Sequence, residues 1–244
     1  MNSMMCFKHS RGAHTAAILV VLLIALILPA LASAHNVSKR DATFVESNKG
    51  AAIAPFLYLG AKHMVTGYDH LLFLVGVIFF LYRLKDVVAY VSLFTIGHSV
   101  TLLAGVLGGI HANSFVVDAI IGFSVVYKAF DNMGGFRQLL GFQPNARLAV
   151  LIFGLCHGFG LATKLQELDL SKNGLIANIV SFNVGVEIGQ VLALTAVLIA
   201  LGVWRTRSGF LRHAFVTNTA LMAVGFVLTG YQIAGYYLAS GGRA

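Results

Sequence analysis

Two histidines and an aspartate are concentrated where a strongly apolar segment of this 244-residue chain begins. His63 is followed, after five residues, by Asp69 and His70, and the apolar run 71–80 comes directly after them. Ionisable side chains are costly to place in a membrane span unless they pair with one another or bind a ligand. Imidazole and carboxylate groups together are typical ligands of divalent transition metals. The segment therefore predicts a metal site at the mouth of a membrane helix.

Further polar side chains interrupt the later apolar segments. The other candidate metal ligands are His98, Asp118, His157 and Glu187, and the residues expected to line the same space are Ser99, Asn183 and Gln190. Glu187 is hard to explain without a partner, because an unpaired carboxylate in hydrocarbon is strongly unfavourable. Asn183 and Glu187 are also spaced to share one face of a helix. We therefore expect several helices to contribute to one site.

The composition is that of a membrane protein. Hydrophobic residues make up 58% of the chain and charged residues 11%, whereas a soluble domain has about 25% charged residues. The formal net charge is +8, but the basic residues are scattered through short connectors and form no motif that reads DNA or RNA. We expect an all-α, polytopic helical protein whose partners are the lipid bilayer and a metal ion, with no nucleic acid.

The N-terminal segment predicts a cleavable signal peptide. Lys8 and Arg11 precede the short apolar run 16–28, and the small residues Ala32-Ser33-Ala34 supply a cleavage site before His35. An uncleaved first membrane helix is the alternative, although the run is short for a span of about 20 residues. The predicted divisions are a signal peptide over 1–34, a short exported arm over 35–52 and a membrane domain over 53–240.

Hydropathy predicts six membrane spans after the signal peptide, the first of them interrupted. They cover residues 53–82, 87–108, 112–133, 146–165, 173–203 and 214–239. Gly67 permits a break or kink in the first span, which then consists of one helical piece before this glycine and one after it. The break falls between His63 and His70, so the predicted metal site surrounds it.

Lysine and arginine are unevenly distributed among the connectors. The connectors after spans one, three and five carry Arg83, Lys85, Arg137, Arg147, Arg205, Arg207 and Arg212. Because cytoplasmic connectors are enriched in basic residues, these connectors are predicted to face the cytoplasm, and both mature termini the exported side. At about 1.5 Å per residue, the candidate ligands from five spans then fall in one layer of the outer half of the membrane.

Three motifs resemble the HupE/UreJ family of bacterial membrane proteins, especially its second branch. They are the His-x5-Asp-His spacing that begins at His63, Gly97-His98-Ser99, and Phe153-Gly-Leu-Cys-His-Gly. The resemblance covers roughly residues 50–240. Members of the better-known branch are regarded as nickel permeases associated with hydrogenase and urease. The resemblance therefore implies a transporter of Ni²⁺, Co²⁺ or a similar ion in the bacterial inner membrane.

One motif departs from that branch. Its fourth region ends in His-Gly-x-Glu, whereas this chain has Gly160 in place of the glutamate after His157. Glu187 is a candidate to replace the missing carboxylate in space. The identity of the metal is accordingly left open between nickel, cobalt and zinc.

Two classes of function remain open on the sequence alone. In a transporter, the cluster captures a divalent ion from the exported side and passes it inward. In a membrane hydrolase, the same cluster holds a catalytic Zn²⁺ that activates water. The absence of His-Glu-x-x-His and Gly-x-Ser-x-Gly motifs argues against known hydrolase patterns. A metal-binding accessory subunit is a third possibility. Polar residues on the cytoplasmic side of the cluster would favour a transporter, and the sequence offers Lys128, Asp131 and Asn132.

Overall fold

The computed structural model describes residues 43–45, 47, 50–166 and 173–241, and between residues 50 and 241 these form seven α-helices. Their bounds are α1 Ile53–Thr66, α2 Tyr68–Ile78, α3 Leu84–Gly108, α4 Ser114–Asn132, α5 Ala146–Gln166, α6 Leu175–Arg205 and α7 Phe210–Gly241. A π-helical turn, Phe136–Leu140, precedes α5. The described residues contain no β-strand, so the all-α prediction is confirmed for this part of the chain. The predicted signal peptide lies outside it.

Four helices, α3, α5, α6 and α7, are long and apolar enough to cross a membrane. The chain is therefore a polytopic helical membrane protein. Helix α4 has 19 residues, which corresponds to about 28 Å. It carries three charged side chains, and all three form ion pairs: Asp118 with Lys164, and Lys128 with Asp131. The total of six membrane crossings stays a prediction.

Gly67 divides the first predicted span into two helices, as the sequence predicted. Its backbone is extended (φ −75°, ψ 92°) between the end of α1 and the start of α2. The Gly67 amide donates to the His63 carbonyl at 2.8 Å, and the Gly67 carbonyl accepts from the Leu71 amide at 3.1 Å. Both helix ends are thus closed by one residue, and the ends meet in the region of the predicted site.

Glycines bring three pairs of helices into close contact: α1 with α6, α3 with α5, and α4 with α7. A Cβ atom at Gly189 of α6 would lie 2.5 Å from the carbonyl oxygen of Ala61 in α1. A Cβ at Gly154 of α5 would lie 2.5 Å from the carbonyl oxygen of Phe94 in α3. Small residues allow membrane helices to approach in this way and to gain packing energy. Two of these pairs, α1 with α6 and α3 with α5, carry most of the candidate metal ligands that the sequence predicted.

Contacts at the helix ends show which connectors lie together. Arg205, the last residue of α6, donates hydrogen bonds to three carbonyl oxygens at the end of α2 and just beyond it: those of Ile78, Phe79 and Leu81, at 2.6, 2.7 and 3.0 Å. Arg147, at the start of α5, lies 6.0 Å from the centre of the Tyr90 ring near the start of α3. The basic connectors therefore meet at one end of the bundle, called here the basic end.

We expect replacement of Gly154 by alanine to destabilise the protein, because the added methyl would press on the α3 backbone. Overpacking of a close interface costs about 1–3 kcal/mol, so the unfolding temperature in detergent should fall by several degrees. Gly202→Ala is the matched control, since no described atom lies within 4 Å of a Cβ at Gly202. Equal unfolding temperatures for the two variants would show that the glycine contact is not required.

Candidate metal centre

His70 lies in the middle of a group of histidines supplied by four helices. The centre of its ring is 5.3 Å from that of His63, 4.8 Å from that of His157 and 6.0 Å from that of His98. His70, His98 and His157 are only 3%, 1% and 0% exposed. These four histidines and Asp69 are called the histidine cluster. Helices α1, α2, α3 and α5 all contribute to it, so the structure brings these five predicted residues together; their role as metal ligands stays a prediction.

Three residues of the cluster are spaced closely enough to share one ion. Asp69, His70 and His157 each offer a ligand atom, and these atoms lie within 4.8 Å of one another. The Asp69 carboxylate also contacts Nδ1 of His70 at 3.1 Å. Imidazole nitrogen with a carboxylate oxygen suits Ni²⁺, Co²⁺ and Zn²⁺ better than Mg²⁺ or Ca²⁺, which prefer oxygen ligands alone. The arrangement can therefore bind a borderline divalent ion.

Hydrogen bonds orient the imidazoles for such a role. The carbonyl oxygen of Phe153 is 2.7 Å from Nδ1 of His157, so Nδ1 carries the proton and the lone pair is on Nε2. A backbone partner of this kind is typical of histidines that bind metals. Nε2 of His70 and both ring nitrogens of His98 are buried without a hydrogen-bond partner among the described residues. Unsatisfied buried nitrogens are unfavourable, and a cation would satisfy the one nitrogen lone pair that each neutral imidazole offers.

Gly67 has no side chain, and the cluster occupies the space that a side chain would fill. A Cβ atom at this position would lie 2.9 Å from the His63 carbonyl oxygen, 3.2 Å from Nδ1 of His70 and 3.5 Å from the Asp69 carboxylate. A larger residue would therefore press on His63 and His70 and would contact Asp69. The glycine that breaks the helix also keeps the wall of the site open.

Three phenylalanines close the cluster on the side of the basic end. Phe73, Phe94 and Phe153, called the phenylalanine layer, each lie three or four residues from a cluster histidine, one helical turn toward that end. The ring centres of Phe73 and Phe94 are 5.5 Å apart, and those of Phe73 and Phe153 are 5.7 Å apart. Sequence reasoning missed this layer, although the repeated spacing to His70, His98 and His157 was available as a signal.

The structure does not bring Asp118, one of the candidate metal ligands, into the cluster. Its buried carboxylate accepts a hydrogen bond from Nζ of Lys164 at 3.0 Å. An ion-paired carboxylate needs no metal to offset its burial. The sequence could not reveal this pair, because the two residues lie on different helices, α4 and α5.

Glu187 also lies outside the cluster. It is exposed on α6, and it does not belong to the group of three residues that could share an ion. The predicted lining residues do come together, but beside the cluster: Ser99 donates to Oδ1 of Asn183 at 3.2 Å, and Thr95 donates to Oε1 of Gln190 at 3.3 Å. These contacts link α3 to α6.

We expect Asp69→Asn to lower the affinity for Ni²⁺ by about 10- to 100-fold, the range typical for loss of a group that supports a metal site. The amide keeps the shape and an oxygen for His70 but loses the negative charge. Calorimetric titration of the purified protein in detergent would measure the change.

The control for this variant is Asp86→Asn, in the first turn of α3 at the basic end. It removes the same charge far from the histidine cluster and should leave the affinity unchanged. Wild-type affinity in Asp69→Asn would exclude the Asp69 carboxylate as a ligand.

Comparison with known proteins identifies one family. The family model described as HupE / UreJ protein matches residues 39–240. The match therefore includes all five residues of the histidine cluster. No curated protein and no solved structure gives a significant match.

Proposed function

Because this chain belongs to the HupE/UreJ family, which is associated with nickel and cobalt transport, we propose that it is a permease for a divalent ion of this type. The histidine cluster binds the ion as cargo: His63, Asp69, His70, His98 and His157. Asp118 and Glu187 are not part of that binding site. The cargo is Ni²⁺ or Co²⁺ in the first place, and Zn²⁺ has the same ligand preferences.

The convergence of four histidines and one aspartate within the bundle supports this proposal. Nε2 of His70 and both ring nitrogens of His98 are buried and lack hydrogen-bond partners in the described part of the chain. A purely structural polar cluster would be expected to satisfy these atoms internally. A site that binds and releases a cation has to keep them available.

The direction of transport follows from the proposed topology. Basic connectors are enriched on the cytoplasmic side of bacterial membranes, so the basic end faces the cytoplasm and the histidine cluster lies toward the exported side. Both mature termini are then on the exported side of the inner membrane. A divalent ion that moves inward gains about 4.6 kcal/mol per 100 mV of membrane potential. Uptake therefore has a driving force without a coupled reaction.

The phenylalanine layer keeps a second function in consideration. The layer covers the cytoplasmic side of the cluster, and the buried Phe73 and Phe94 are 1% and 0% exposed. A metal site that is closed on one side suits a membrane hydrolase, in which Zn²⁺ activates water. In the transporter, the same layer is a barrier that the ion must pass or avoid.

Uptake by the purified protein in liposomes would test the proposal. A membrane potential that is negative inside the liposomes should drive accumulation of Ni²⁺ or Co²⁺. The His70→Ala variant should reduce both metal binding and uptake by at least tenfold, because His70 lies in the middle of the cluster. His111→Ala is the control: it removes an exposed imidazole from the connector between α3 and α4 and should leave both quantities unchanged.

Two results would contradict the proposal, one the transport function and the other the role of the histidine cluster. Metal binding that depends on His70, but with no flux of Ni²⁺, Co²⁺ or Zn²⁺ in either direction, would favour the hydrolase or an accessory role. Flux that persists in His70→Ala would show that the cluster is not on the transport path.

A further inference from the structure

Helices α3 and α6 are joined by polar side chains. Ser99 donates to Asn183 and, one turn along α3, Thr95 donates to Gln190. The α1–α6 and α3–α5 pairs, by contrast, are joined by glycine against backbone. Together with Glu187, these four residues are called the polar seam.

Glu187 lies between the two hydrogen-bonded bridges. It follows Asn183 by four residues and precedes Gln190 by three, so all three residues share one face of α6. Within the described ranges, its carboxylate has no hydrogen bond or ion pair, and the exposed side chains of Val184 and Val191 flank it along the helix. An acidic side chain in such an apolar span is unfavourable and generally marks a functional path.

Gln190 provides a second polar group that is available for a ligand. It is 1% exposed, and its Nε2 atom has no hydrogen-bond partner among the residues that the structure describes. Its Oε1 atom accepts from the Thr95 hydroxyl. A hydroxyl can donate or accept, so the amide can turn over, keep its contact with Thr95 and present its oxygen instead. The seam then contains two potential oxygen ligands for a cation, a carboxylate and an amide oxygen.

The potential ligands of the seam are all oxygen atoms. The histidine cluster offers mainly nitrogen, which binds nickel and cobalt more tightly than hydroxyl, amide and carboxylate oxygens do. An ion that leaves the cluster therefore meets a weaker, anionic site. Passage through a membrane protein requires such sites, since binding must be strong enough to accept the ion and weak enough to release it.

The seam also bypasses the barrier next to the cluster. Ser99 follows His98 in α3, and Thr95 follows Phe94. The upper bridge is therefore level with the histidine cluster, and the lower bridge is level with the phenylalanine layer. Ser92, about one turn further toward the basic end, continues the row of hydroxyl groups and is exposed.

We propose that the polar seam is a second cation site, centred on the Glu187 carboxylate, through which the divalent ion moves past the phenylalanine layer toward the cytoplasm. The proposal rests on the transport function proposed above. It assigns separate roles: the histidine cluster selects and holds the ion, and the seam transfers it. Loss of the seam should therefore affect flux without affecting tight binding.

Glu187→Gln in proteoliposomes tests this division. The variant should bind Ni²⁺ within about twofold of the wild-type affinity, because no cluster residue changes, while its initial uptake rate should fall at least tenfold. Glu187→Asp keeps the charge and should retain more uptake than Glu187→Gln. Thr195→Val is the control on α6: the Thr195 hydroxyl donates to the Val191 carbonyl of its own helix at 2.7 Å, and its loss should leave uptake unchanged.

A binding measurement with Mn²⁺ makes the test independent of transport. Mn²⁺ prefers oxygen ligands, and its free concentration can be followed by electron paramagnetic resonance. We expect the wild type to bind Mn²⁺ weakly, the Glu187→Gln variant to lose this binding and the His70→Ala variant to retain it. Tight Ni²⁺ binding should instead be lost in His70→Ala and retained in Glu187→Gln. If the wild type transports nothing, the transport function fails, and the Mn²⁺ result still decides whether the seam binds a cation.

Three results would overturn the second site. Wild-type uptake in Glu187→Gln would show that the ion does not use the seam. Loss of tight Ni²⁺ binding in the same variant would place Glu187 at the histidine cluster itself. Mn²⁺ binding that is unchanged by Glu187→Gln would show that the carboxylate holds no cation.

Discussion

Burial of ionisable groups among apolar helices is the constraint on which this structure depends, because each such group must find a partner. On α4 the partners come from the protein: Lys164 neutralises Asp118, and Lys128 neutralises Asp131. At the end of α2, the Arg205 guanidinium satisfies carbonyl groups that the short helix leaves open. In the histidine cluster, Nε2 of His70 and both ring nitrogens of His98 have no hydrogen-bond partner within the described ranges. The contrast separates groups that stabilise the fold from groups that are available to a cation.

Short helices make that cluster possible. Helix α2 begins directly after Gly67, so Asp69 lies in its first turn. The N-terminus of a helix carries a partial positive charge, which opposes cation binding and favours a carboxylate. Asp69 offsets this charge next to His70, and its carboxylate contacts Nδ1 of that histidine. A continuous helix would have no N-terminus next to Asp69 and no bend between His63 and His70.

The sequence predicted the helices and grouped five side chains that the structure brings together, for physical reasons. Membrane spans are long and apolar, and the close spacing of His63, Asp69 and His70 survives the break at Gly67. Depth in the membrane, which can be counted along the chain, also brought His98 and His157 to the same layer. Direction around a helix was harder to predict: in a membrane both the lipid-facing and the buried faces are apolar. Depth alone therefore grouped Asp118 and Glu187 with the histidines, whereas the structure turns them elsewhere.

The proposed route of the ion toward the cytoplasm shows the same limit of sequence reasoning. Lys128, Asp131 and Asn132 were the polar residues that the sequence offered below the cluster. In the structure, Lys128 and Asp131 form a 2.6 Å ion pair, and Asn132 donates to the Gly76 carbonyl and to Asn218. Lys128 and Asp131 thus satisfy each other, and Asn132 joins α4 to α2 and α7, so these groups hold the fold together. An ion needs polar groups that can exchange partners. Between α3 and α6, each bridge is a single hydrogen bond between two side chains. The Glu187 carboxylate beside these bridges has no hydrogen bond or ion pair in the described part of the chain. The physical difference between a structural polar network and a path for ions is thus the degree to which its hydrogen bonds are already used.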